Sequence, residues 1–151
     1  MGVEVTRVIK IQSSCRDCLD TVLRTMSTLD GILLMKFFNN ELVVTYETSN
    51  VSFSDIAQLV LSLGIGGVLL RKVIMIVGSR GGIDIDVVNS SLGRMVDGVV
   101  DLQYDQATAR LTVIMHPDTD INAVINGLVG LGVPIREVTV DELSQILIAR
   151  S

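Results

Sequence analysis

The 151-residue sequence predicts an α+β protein built from two tandem copies of one β-α-β-β-α-β unit. Two observations carry this. First, segments recur at a nearly constant offset. VIKIQSS (Val8–Ser14) returns as VIMIVGS (Val73–Ser79), LDGILLMKF (Leu29–Phe37) as VDGVVDLQY (Val96–Tyr104), and IAQLVLSLGI (Ile56–Ile65) as VINGLVGLGV (Val124–Val133), at offsets of 65, 67 and 68. Small loop insertions between diverged copies of one unit produce such a drift. Second, the apolar period changes from strand-like to helix-like in the same order within each copy.

The elements follow in turn. Residues 5–11 and 72–77 are β-branched runs and read as strands. Leu19, Val22, Leu23, Met26 and Leu29 have helical spacing, as do Ile85, Val88, Leu92 and Met95. Gly93 weakens the latter helix by about 1 kcal/mol relative to alanine. Two strands joined by a turn come next: Ile32–Phe38 and Leu42–Glu47, then Val99–Tyr104 and Arg110–Met115. A second helix follows in each copy and ends at Gly64 or Gly132, both suited to the left-handed position past a helix end. Ser52 with Asp55 has capping-box spacing, and Asp120 is a cap in the other copy. Short strands close the copies at Val68–Leu70 and Ile135–Val140. This order describes a ferredoxin-like domain, an antiparallel sheet with both helices on one face, and the topology alone names no function.

The expected divisions are residues 1–70, residues 71–140 and a C-terminal extension, 141–151, in which Leu143, Ile146, Leu147 and Ile148 suggest a short helix. The join GGVLLRKVIMIVG has neither proline nor a polar linker, so the two copies are expected at a restricted angle.

Composition excludes several classes. The net charge is −5 and is spread over both copies, with 5 basic and 7 acidic residues in 1–70 and 7 and 10 in 71–151. No basic stripe is available to neutralise phosphates, so nucleic-acid binding is not expected. No apolar run approaches the ~18–20 residues of a membrane span, and the N-terminus lacks the form of a signal peptide. Two cysteines are too few for a disulfide scaffold, which favours a cytoplasmic, reducing location.

Those cysteines, Cys15 and Cys18, form a CxxC between the first strand and first helix. Two thiolates converging there suit a soft ion. Cu(I) accepts two ligands, whereas Zn(II) wants four. The helix start favours the thiolate of Cys18. A redox pair and a pair of small apolar core residues are the other readings of the same spacing.

A β-α-β-β-α-β unit with CxxC at this place resembles the heavy-metal-associated domain of copper chaperones and of the N-terminal repeats of heavy-metal-transporting P-type ATPases. The resemblance covers residues 4–139. It implies a non-enzymatic module that binds and transfers soft metal, or regulates its transport, with Cys15 and Cys18 as ligands. Cu(I) is the implied ion, Zn(II) the alternative, and none if the site is degenerate. The implied partner is a protein with a similar CxxC site or an ATPase body. The family motif is Gly-Met-x-Cys-x-x-Cys; here IQSS precedes Cys15, the Gly-Met pair is absent and the loop is one residue short, so a weakened site is expected. In the second copy Gly78 is kept, but Ser79 replaces the methionine and Gly81 and Asp84 replace the cysteines. That copy is expected to bind no metal. Where the family often has an aromatic residue after the second helix, the copies have Ile65 and Val133. The alternatives are a metal-free interaction module of the same fold and a small-ligand regulatory tandem.

Other features read as structural. Gly78–Gly82 lacks the Lys-Ser/Thr of a phosphate loop. His116, before Pro117, is expected in a surface turn. Asp84 and Asp86 sit where acids favour a helix start. The six methionines do not cluster in sequence and read mostly as core.

Overall fold

The computed structural model describes residues 2–12, 18–63, 66–78 and 83–146. Contacts divide the chain into two units, one comprising Met1–Leu69 with Ser144–Ser151, the other Leu70–Leu143.

In the first unit the order is β1 (Glu4–Gln12), α1 (Cys18–Met26), β2 (Ile32–Phe38), β3 (Glu41–Glu47), α2 (Phe53–Ser62) and the start of β4 (Gly67–Val77). The strands lie side by side as β2-β3-β1-β4, every pair antiparallel. Alternate residues Ile9, Ile11, Leu42, Val44 and Tyr46 are buried with Val22 and Met26 of α1 and Ile56, Ala57 and Val60 of α2, all 1% exposed or less. Burial of each large side chain stabilises the unit by about 1.5–3 kcal/mol. The alternate set, Glu4, Thr6, Val8 and Lys10 on β1, faces away from this core, and the Thr6 and Thr45 hydroxyls hydrogen bond on that side at 2.9 Å. The Ser52 capping box is formed: Ser52 Oγ accepts from the Asp55 amide at 3.1 Å, and Asp55 Oδ2 accepts from the Ser52 amide at 3.0 Å.

The second unit holds the rest of β4, then α3 (Ile85–Met95), β5 (Val99–Asp105), β6 (Arg110–Met115), α4 (Ile121–Gly130) and most of β7 (Ile135–Ile146). Its strand order is β5-β6-β4-β7. Met75, Leu92, Leu102, Leu111, Val113, Met115, Val124 and Leu128 fill its core. Gly132, at φ 87°, follows α4, and the Val133 amide reaches back to the Leu128 carbonyl at 2.9 Å. This is the left-handed exit expected after that helix.

Local irregularities recur as well as regular elements. Gly31 and Gly98 have φ of 97° and 119°, and each carbonyl accepts an amide from the end of a neighbouring strand, from Glu47 and His116 respectively. Each of β2 and β5 has a bulge at its start, between Ile32 and Leu34 and between Val99 and Asp101. The part of the offset drift that arises after β2 and β5 has a visible cause. The first hairpin turns on two residues, Asn39 and Asn40, while four residues separate Asp105 from Arg110.

Two expectations change. Val68–Leu70 and residues 72–77 are one strand, β4, whose start pairs with β1 while Arg71–Ile76 pairs with β6. The helix expected in the C-terminal extension is absent among the described residues, since β7 continues as strand to Ile146. β-branched Val138, Thr139 and Val140 favour extended backbone. The run is tied to β4 by Thr139 Oγ1 donating to the Ile74 carbonyl and by Asp141 binding Arg71. Those ties outweigh the weak helical spacing of Leu143 and Ile146.

Candidate functional site

β1 ends at Gln12 and α1 begins at Cys18, so the CxxC falls between a strand end and a helix start. Cys15 lies outside the described residues; Cys18 is the first residue of α1, and its side chain is likewise outside the description. By spacing, position 18 belongs to the helical row that continues with Val22 and Met26, both fully buried.

Backbone pairing shows what else reaches this end of the unit. Ile11 and Gln12 pair with Val68 and Gly67, and the Ile11 amide donates to the Asn40 carbonyl at 2.8 Å. The β1 end, the Asn39–Asn40 turn and the chain entering β4 therefore share one edge. Lys10 and Glu41 are register partners there. Ile65, at the family's aromatic position, lies outside the described residues. Among the described residues, no group of three or more His, Cys, Asp and Glu is placed to hold a metal.

The corresponding place in the second unit does a different job. Asp84, which stands at the second cysteine, is the N-cap of α3 and its carboxylate accepts from the Val87 amide at 3.4 Å. Gly78 donates its amide to the Pro134 carbonyl at 2.7 Å, and Val133 is 2% exposed. Residues 79–82, including Ser79 and Gly81, lie outside the description. Asp86 is exposed in the first turn of α3. Met26, Met75 and Met115 are fully buried.

His116 is not the surface residue expected. It is 3% exposed, its Nδ1 accepts the Asp118 amide at 3.1 Å, and its own amide donates to the Gly98 carbonyl at 2.8 Å. A histidine before proline resembles a turn in sequence, but the strand end here folds back over the Gly98 turn. Beside it, Arg71 grips Asp141 through two bonds of 2.7 and 2.6 Å and donates a third, of 2.9 Å, to the Thr119 carbonyl. The hydrogen bond to Asp141 raises the Arg71 pKa, and that to Arg71 lowers the Asp141 pKa. Asp101, 1% exposed, accepts from Asn89 Nδ2 at 3.1 Å. The Arg71–Asp141 pair spans 70 positions and has no local signal in the sequence. A cavity of about 470 Å³ lies in the first unit, lined by Leu29, Asp30, Asn50, Val51, Asp55 and Leu59 among others. Leu29 and Asp30 follow the far end of α1, so it is not part of the Cys18 edge.

Against known proteins, neither a family model nor a curated protein matches the chain. Solved structures do. The water-soluble region of the P-type ATPase CopA from Bacillus subtilis is 14% identical with a TM-score of 0.51, covering 90% of this chain and 92% of that one. The solution structure of the N-terminal soluble domains of Bacillus subtilis CopA is 13% identical with a TM-score of 0.50, covering 92% and 96%. The chain shares the fold of those domains. The predicted α+β class, with antiparallel strands in ferredoxin-like order, is the observed one. Among the described residues no helix is long and apolar enough to cross a membrane.

Proposed function

We propose that the first unit binds one soft metal ion, Cu(I) in preference to Zn(II), through the thiolates of Cys15 and Cys18. The chain then delivers or senses that ion for a partner with a similar CxxC site or for the body of a metal-transporting ATPase. One observation carries the reading: the only CxxC of the chain falls where β1 gives way to α1, in a fold shared with the soluble region of a P-type ATPase. Two thiolates give a low-coordinate site that suits Cu(I) and leaves room for an incoming thiolate. Transfer is then ligand exchange, with no catalysis by this chain. A reducing, cytoplasmic setting keeps both thiols available. The second unit is metal-free in this reading, because Asp84 serves as a helix cap and is a poor ligand for a soft ion.

Native mass spectrometry of the reduced chain with Cu(I) and with Zn(II) tests this. One Cu(I) per chain is expected under a competing chelator, lost in the Cys15→Ser, Cys18→Ser double variant. Equal uptake by that variant, or tight binding of two ions by the parent, refutes the assignment.

A further inference from the structure

The first unit ends in an unusual edge. Among the described residues β2 pairs only with β3, so its other side presents free backbone groups. Its sequence, ILLMKFF, carries one charge, Lys36, and Leu33, Leu34 and Phe38 are 54%, 52% and 74% exposed. Apolar, β-prone edges of this length invite pairing with another strand, and proteins usually guard them with charge or cover. β5, the equivalent edge of the second unit, is guarded. It carries Asp101 and Asp105, its Val100 and Asp101 are 2% and 1% exposed, and Asn89 of α3 reaches across to Asp101.

We propose that β2 pairs antiparallel with β2 of a second copy of this chain, forming a two-fold dimer centred on Met35. Asn39 and Asn40, at φ 49° and 63°, make a two-residue turn, so Phe38 and Glu41 exchange backbone bonds across the hairpin. Alternation then leaves the N–H and C=O groups of Met35 and Phe37 pointing away from β3. A Met35-centred register joins these groups to the second copy and sets Lys36 opposite Leu34. Sliding the copies to oppose Lys36 with Lys36 costs like-charge repulsion, and sliding the other way unpairs Phe37. The chain is therefore charge-compatible with itself in one register. The two-fold closes the edge, so pairing stops at a dimer.

The inference is independent of the metal reading and is tested with chelator and reductant present. Sedimentation of the full chain over a hundredfold concentration range is expected to show a reversible dimer. Amide exchange at Met35 and Phe37 should slow as concentration rises, while exchange at Lys36, already bonded to β3, stays constant. Leu34 is exposed, so Leu34→Glu and Leu34→Lys both fold and remove the same apolar surface. The first places a carboxylate opposite Lys36 of the second copy, the second another ammonium. Dimer affinity is expected to be roughly tenfold higher for Leu34→Glu than for Leu34→Lys. A monomer at every concentration, unchanged exchange at Met35 and Phe37, or equal affinities of the two variants overturns the proposal.

Discussion

Replacing Gly98 by alanine tests the corner that joins α3 to β5. Gly98 has φ 119°, where a side chain costs about 1–3 kcal/mol. An added Cβ would also clash with Thr119 Oγ1, and Thr119 is only 4% exposed, so the hydroxyl has little room to move. Overpacking of this kind costs about 1–3 kcal/mol. Gly98→Ala should therefore destabilise the second unit by about 2–6 kcal/mol. The two contributions are separable. Among the described residues Thr119 Oγ1 has no hydrogen-bond partner, so Thr119→Ala alone should cost little beyond its lost methyl. In the double variant the oxygen is gone and only the backbone strain remains. A coupling of about 1–2 kcal/mol is expected in the double-mutant cycle. Hydrogen exchange on β5 peptides reads the second unit alone, which matters because the two units need not unfold together. Strictly additive effects would refute the steric reasoning and leave the backbone as the whole cause.

Three further outcomes follow from the same geometry. Asp141→Asn removes the double bond to Arg71; with the side chains 21% and 39% exposed, the loss at pH 7 should be about 0–1 kcal/mol. Because the folded state lowers the Asp141 pKa, its contribution is complete above the unfolded value near 3.9 and is lost as pH falls through the folded one, so parent and variant midpoints should converge in acid. Gly93→Ala, in the interior of α3 with nothing within 4 Å of the new Cβ, should raise stability by about 0.5–1 kcal/mol, read as a shift in denaturation midpoint. Gly81→Cys with Asp84→Cys restores a CxxC in the second unit and removes the Asp84 cap, so native mass spectrometry should show a second Cu(I), with stability lower by about 0.5–1 kcal/mol. A single bound ion in that variant would mean that spacing at a helix start is not enough to make a site.

The fold was legible because its signals are local or repeated. The helical rows through Met26 and Leu92, the Ser52–Asp55 box and Gly132 each act within one turn of backbone. What escaped depends on distant partners. His116 is buried because the Gly98 carbonyl, 18 positions away, captures its amide. β7 runs to Ile146 where a short helix was expected, and Asp141 within it meets Arg71 across 70 positions. Position 18 was placed at the start of α1 by its periodicity, but ligand geometry depends on the turn preceding it, and IQSS lacks the Gly-Met pair of the family motif.

The fold and the metal site make separable demands on a sequence. The fold needs apolar alternation on the core side of each strand, a capped helix start and the bent entry at Gly31 or Gly98; both units meet these. A soft-metal site needs two sulfurs at one strand–helix junction and nothing from the core. Asp84 shows how easily the two demands part. Its carboxylate caps α3 through the Val87 amide and so helps the helix, whereas a carboxylate is a poor ligand for a soft ion. A unit of this fold can thus keep a capped helix start without a thiol there, and Leu92, Val113 and Leu128 of its core are fully buried. Function in this architecture is therefore to be sought in the thiols at the junction of β1 and α1 and in the edge of β2 that no described residue covers.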